Sequence, residues 1–346
     1  GEGIFYRGGS NPTNPVDAAK YRLPGAEVKE VLVPVEALSF NIGLTDSLTM
    51  ESFYQTNWKE TRIDPVGTFY SQTDLFADGG NTGYNNFSGT ALDTPVPGFG
   101  NVIGLYSALG NNPLLNSALQ TTGLYANGVT PAYGNTLKVA SIGKDYNARN
   151  DGQFGFAFRY IAEQLNSTEF GLYMVNYHAK EPTIAADLGG YKGIDMDALT
   201  NLLSGVAGSQ AGALANGLAT ADVMGNIQAH RRYAEDIRMY GFSFNTTLGE
   251  ASVFGEIAYR PNLPIGVAAT NDLIGDLANG AAAAVTGKSI NVGGQMVTLD
   301  SQINNAERVE AFNTSLGTIY NFGPTASFDS LFGIFELASE HLRGSS

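Results

Sequence analysis

The stretch Gln153–Ala162 (QFGFAFRYIA), followed five residues later by 168–178 (TEFGLYMVNYH), decides how the chain is read. In the first, Phe154, Phe156, Phe158 and Tyr160 alternate with Gly155, Ala157, Arg159 and Ile161. Successive side chains of a strand point to opposite faces, so this spacing builds one aromatic wall and one wall of small or polar residues. A soluble sandwich would bury the aromatic wall against a second sheet. A transmembrane barrel would turn it to lipid, where strands of about nine to eleven residues make the crossing. The spacing of the other strands separates the two.

Six further stretches read as strands: 31–43, 48–58, 237–247, 251–260, 308–322 and 327–338. Pro34 weakens the start of the first. In 48–58, Leu48, Met50, Tyr54 and Trp58 share one face, and Thr49, Glu51, Gln55 and Asn57 the other, with Phe53 an exception on the polar face. The eight join as hairpins through Thr45-Asp46-Ser47, residues 163–167, Leu248-Gly249-Glu250 and Gly323-Pro324. Between hairpins lie inserts 59–150, 180–236 and 261–306. Structureless loops that long count against a compact soluble domain, whereas outer-membrane barrels carry long external loops opposite short periplasmic turns. Helical spacing is expected at 113–124, 195–224 and 272–285, while residues 1–30 read as loop. Because all three inserts leave from the same end of the hairpins, up-and-down order puts them together, as a lid partly closing the barrel mouth.

Composition agrees. Charged residues are 15% of the 346, below the usual quarter, and Tyr (17) and Phe (19) far outnumber Trp (1), as interfacial aromatic girdles would have it. A mean hydropathy of -0.08 and the lack of any run of about 20 apolar residues exclude a helical membrane protein. The net charge of -14 makes nucleic acid an improbable partner, since phosphate binding needs clustered Lys and Arg. The absence of cysteine fits a periplasmic route. With neither a leader at Gly1-Glu2-Gly3 nor a terminal aromatic after Arg343, the chain is expected to lack N- and C-terminal strands of the natural barrel.

Catalytic chemistry finds little support. His178, His230 and His341 are scattered, and Gly241-Phe242-Ser243-Phe244-Asn245 lacks the last glycine of a nucleophile elbow. Gly287-Lys288-Ser289 has Ala282 where a phosphate loop needs glycine, and Gly98, Gly100 and Gly104 are misspaced for a dinucleotide site. Asp78-Gly79-Gly80-Asn81 and residues 145–151 could offer oxygen ligands to calcium, although Asx turns use the same residues. The charges carry more weight. Glu51, Arg159, Glu163, Glu169, Glu256 and Arg260 lie on or beside polar strand faces, and a lipid-facing Arg or Lys near the midplane costs about 2–4 kcal/mol. They are expected to point into the lumen, either as a salt-bridged filling or as a substrate path.

Gly1-Glu2-Gly3, Asn14-Pro15-Val16-Asp17, the run from Arg22-Leu23-Pro24-Gly25 to Ala26-Glu27-Val28-Lys29-Glu30, Glu169-Phe170-Gly171-Leu172-Tyr173 and Glu235-Asp236-Ile237-Arg238 together resemble the proteobacterial domain-of-unknown-function family thirteen-oh-two. The resemblance implies a longer outer-membrane barrel, accompanied by a periplasmic lipoprotein resembling lipoprotein-sorting factors and by a resistance-nodulation-division inner-membrane permease. It also implies traffic of hydrophobic compounds or lipids, and supplies no catalytic or binding residues.

The expected fold is therefore all-β: an antiparallel transmembrane β-barrel of outer-membrane type with long, partly helical extracellular loops, in the outer membrane of a Gram-negative bacterium. The expected function is a channel or transporter for hydrophobic small molecules or lipids, without covalent chemistry, cofactor or metal. Its path would be lined by Glu51, Arg159, Glu163, Glu256 and Arg260, and its loop vestibule by Leu114, Leu115, Leu119, Leu202, Leu203, Leu273, Ile274 and Leu277. Partners would be outer-membrane lipids and the apolar compounds carried. The alternative is a passive porin for small polar or cationic solutes; an outer-membrane hydrolase is a weaker third.

Overall fold

A computed structural model describes residues 14–71, 77–266, 285–286, 288–292, 295–324 and 329–344. Its larger part is one antiparallel sheet of eight strands in chain order: β1 (Ala37–Thr45), β2 (Leu48–Gln55), β3 (Gln153–Ala162), β4 (Thr168–Tyr177), β5 (Ile237–Leu248), β6 (Ala251–Gly266), β7 (Ala306–Gly323) and β8 (Leu331–Arg343). The tight turns are where residues tolerant of left-handed backbone sit: Asn166 and Ser167 between β3 and β4, Gly249 between β5 and β6, Gly323 after β7. Strands β1 and β8 are not paired with each other, so the sheet is open among the described residues.

Some boundaries differ from the sequence reading. Strand β1 starts at Ala37, beyond Pro34, and β2 stops at Gln55. Trp58 is therefore no strand-end aromatic. It is buried against Tyr233 and Ala148, and its indole N–H donates to the Ala179 carbonyl at 3.0 Å. Strands β6 and β7 run further than expected, because a bulge between Arg260 and Leu263 restores pairing as far as Gly266. Strand β8 ends at Arg343 rather than at residue 338.

The register fixes two chemically distinct faces. Starting from Phe156, cross-strand pairs place Met50, Ile42, Met174, Tyr240, Tyr259 and Phe312 on the same side. This outer face is apolar and uncovered on every strand: Leu38, Phe40, Phe156, Leu172, Phe242, Ile257, Leu316 and Leu337 are all exposed. Its five tyrosines lie towards the strand ends. Tyr54, Tyr240 and Tyr259 are on the insert side, and Tyr160 and Tyr320 on the turn side. Tyr160 pairs with Leu48, six residues from Tyr54, and Tyr320 with Ala251, eight from Tyr259. At about 3.3 Å per residue the apolar band is about 20–26 Å long along the strands. The outer-face charges Arg238, Arg308, Glu310 and Arg343 all lie on the insert side of the Tyr240–Tyr259–Phe312 row.

The inner face explains the exception noted at Phe53. Its ring lies over Gly155 of the next strand, where an added Cβ would come within 2.4 Å of it. Phe254 covers Gly317 in the same way. Glycine is needed at these places because an aromatic ring from the neighbouring strand occupies the side-chain position.

The three inserts fold together. Strands Thr82–Asn86 and Thr136–Ile142 of the first, Thr183–Asp187 and Gln228–Arg232 of the second, and Ile303–Asn304 of the third form a separate mixed sheet. Helices α1 (Val102–Asn111), α2 (Pro113–Gln120), α3 (Met196–Ala207) and α4 (Ala211–Asn226) surround it. Asn112 caps α2 through the N–H groups of Leu114 and Leu115, and Asp195 caps α3 through that of Ala198. One core contains Tyr106 and Leu137 of the first insert, Leu199, Leu218 and Met224 of the second, and Val285, Val297 and Ile303 of the third. The inserts are thus one α/β module with its own interior. Of the helix expected at 272–285, only Val285 is among the described residues.

Candidate functional site

Two places gather polar chemistry: the inner face of the large sheet and the neck where its strands meet the module. On the inner face Arg159 donates to Glu169 at 3.0 Å, and its Nε lies 4.0 Å from Glu51. One cation thus holds two carboxylates on flanking strands, in register because Thr49 and Gly171 flank Arg159. Further along, the buried Arg260 donates to the Asn313 amide oxygen at 3.0 Å and to the Tyr177 hydroxyl at 3.2 Å. Glu256 is half-buried on the same face of β6. Glu163 is elsewhere: it sits exposed in the single helical turn linking β3 to β4, away from the polar face. Between the two tyrosine levels the strand charges Glu51, Arg159, Glu256, Glu336 and Glu340 lie on the inner face, as do Glu169 and Arg260, one residue beyond Tyr160 and Tyr259.

The leucines assigned to a vestibule divide. Leu119 and Leu203 are buried in the module core and line no opening. Leu114 is 83% exposed, and Leu115 and Leu202 are exposed as well, as is Val206. Leu273, Ile274 and Leu277 lie outside the described residues. The division follows helical geometry: Leu199 and Leu203, four apart, share the core stripe of α3, and Leu202 and Val206 share its outer side.

The neck is built on buried polar groups that sequence reasoning did not connect. His178 is fully buried; its Nδ1 accepts the Asp236 N–H at 3.1 Å, so its Nε2 donates to the Asp151 carbonyl at 2.8 Å. Arg149 bridges Glu235 at 2.7 Å and Asp236 at 2.6 Å, fastening the first insert to the start of β5. Asp78 and Asp145, each in a stretch weighed as calcium ligands, converge instead on one cation, the Arg231 guanidinium. Among the described residues no group of three or more His, Asp or Glu side chains could hold a metal ion. His230 donates from Nδ1 to the Lys144 carbonyl at 2.8 Å, and His341 lies exposed on β8. His178 and His230 thus tie strand ends to the loops beside them.

Lys180, just past β4, is a buried cation of the neck. Its ammonium is buried, donates to the Gln153 amide oxygen at 2.6 Å and has the Trp58 ring 6.0 Å away. Burial brings its pKa down from 10.5 to about 8. A folded pKa below the unfolded one means the unfolded chain holds the proton more firmly, so Lys180 makes the protein more stable as pH rises from about 8 towards 10.5. We expect the melting temperature to drop less between pH 7.5 and pH 10 in the parent than in Lys180→Met. Identical pH profiles would contradict this.

Within the module, Asp222 is fully buried and accepts the Tyr106 hydroxyl at 2.6 Å, the Tyr191 hydroxyl at 2.8 Å and the Tyr125 N–H at 3.3 Å. Burial moves its pKa above the usual carboxylate range. The signal available in sequence was an acidic residue inside the Ala-rich segment 211–226, where the core stripe would otherwise be apolar.

The pattern of polar neck, apolar outer face and charged inner face coincides with the sequence blocks that carried the resemblance, notably Glu235-Asp236-Ile237-Arg238 at the neck and Glu169–Tyr173 on β4. The family model described as protein of unknown function DUF1302 matches residues 1–346. The chain belongs to the DUF1302 family. No curated protein and no solved structure matches it.

Proposed function

We propose that this DUF1302 chain is the membrane-crossing part of an outer-membrane β-barrel that passes hydrophobic small molecules or lipids, with the module standing over one end of it. The observation that carries the reading is the outer face. Eight strands present an uncovered apolar surface bounded towards both ends by tyrosines, while the charges between those levels lie on the other side. In water, so large an apolar face would be an aggregation surface; in lipid it is the stable arrangement. The free backbone edges of β1 and β8 must then be paired, with each other or with further strands, because unpaired amides in hydrocarbon cost several kcal/mol each.

Carriage of apolar compounds rests on the exposed Leu114, Leu115, Leu202 and Val206 of the module and on the company that the family resemblance implies. One observation favours the passive porin for polar or cationic solutes: the Glu51–Arg159–Glu169 group places an excess of negative charge on the inner face. The readings part in an uptake assay. Cells lacking the protein should take up hydrophobic compounds several-fold more slowly while sugars of similar size pass unchanged. A defect confined to sugars would move the assignment to the porin, and no defect in either would overturn both.

A further inference from the structure

A cleft of about 590 Å³ opens at the neck, between the last strand of the second insert and the extended ends of β5, β6 and β7. Three arginines border it: Arg232, Arg238 and Arg308. None has its charge met by a carboxylate in the contacts of the described residues. Arg308 donates to the backbone carbonyls of Glu235 at 2.6 Å and Asn262 at 3.5 Å, and Arg232 to the Gln302 amide oxygen at 3.2 Å. The Arg238 guanidinium has no partner among the described residues; only its backbone N–H is engaged, by Asn262. Glu235 and Asp236 border the same cleft, but both carboxylates are turned to Arg149. Glu307 offsets one of the three charges.

We infer that this cleft binds the anionic head group, carboxylate or phosphate, of an amphiphile whose apolar chain lies along the outer face of β5, β6 and β7. The geometry that joins the two parts is the register: Arg238 is two residues from Tyr240, and Tyr240, Tyr259 and Phe312 form a row of rings across the three strands. A guanidinium beyond an aromatic girdle stands at the depth where lipid head groups stand. The cleft is large enough for a phosphoglycerol or carboxylate head and is too polar for the chain itself. The tail's position rests on the membrane reading above; the anion site does not.

The test uses the full chain mixed with vesicles of phosphatidylcholine carrying a minor fraction of spin-labelled phosphatidylglycerol or spin-labelled phosphatidylcholine, with inorganic phosphate titrated separately. The anionic lipid should be enriched at the protein several-fold over the zwitterionic one. Arg238→Gln, which breaks no side-chain contact among the described residues, should bring that preference down to near one, because a lost charged hydrogen bond is worth at least as much as the whole several-fold difference. Free phosphate should compete weakly. Equal enrichment of both lipids in a protein that has entered the vesicles would overturn the anion site and leave the membrane reading intact. Binding of inorganic phosphate as tight as that of the lipid, and equally sensitive to Arg238→Gln, would overturn the amphiphile and reduce the cleft to a small-anion site. A protein that stays out of the vesicles yet binds phosphate through Arg238 would sink the membrane reading and the lipid tail together. Failure to bind either would sink both proposals.

Discussion

Leu316→Arg should keep the chain from assembling in lipid. Leu316 lies midway along the outer face of β7, four residues from both Phe312 and Tyr320, and pairs with Leu337 of β8. A guanidinium at the midplane of a lipid-facing strand costs about 2–4 kcal/mol, a large share of the stability of an ordinary domain. Asn41→Arg is the matched control: Asn41 is exposed on the inner face and lies beside Glu51, 3.5 Å away, which can accept the new charge. On heat-modifiability gels after refolding into lipid, the Leu316 variant should run unfolded and the Asn41 variant like the parent. If both fold equally well, the outer face does not meet lipid; if only Asn41→Arg fails, the faces are reversed.

Asp222→Ala should unfold the module while sparing the large sheet. The substitution takes the acceptor from the Tyr191 hydroxyl and the Tyr125 N–H in the module interior, and leaves the Tyr106 hydroxyl with Thr130 Oγ1 at 3.2 Å. Each orphaned buried donor costs about 1–3 kcal/mol, so a total of roughly 2–6 kcal/mol is expected for the two. Asp222→Asn keeps one acceptor oxygen, and its amide can donate to the second hydroxyl, so it should lose much less. Protease digestion of the full chain, with cleavage mapped to 196–226, reads the module separately from the strands. Equal resistance of the alanine variant and the parent would mean that the two donors find other partners. The same packing changes the meaning of deleting 195–224. Viewed as a lid, that segment could be removed to open the mouth, but it contributes Leu199, Leu203, Leu218 and Met224 to the one core shared by all three inserts. Its removal would dismantle the module.

Local signals in the chain carried the large sheet. Eight strands, their hairpin pairing, the opposite faces of Phe156 and Arg159 and the common end from which the inserts leave were all legible, because strand period and turn residues are local signals and a one-residue slip would exchange the faces. The fate of Trp58 was not legible: alternation continues past the place where pairing stops. Long-range packing, in contrast, made the inserts one folded module, put Leu119 and Leu203 in its core with Leu114 and Leu202 on its surface, and brought Asp78 and Asp145 together at Arg231. The last contact spans up to 153 residues. Such partners have no periodicity to announce them; they are selected when an apolar core gathers distant segments and every buried charge within it must find an opposite or a donor.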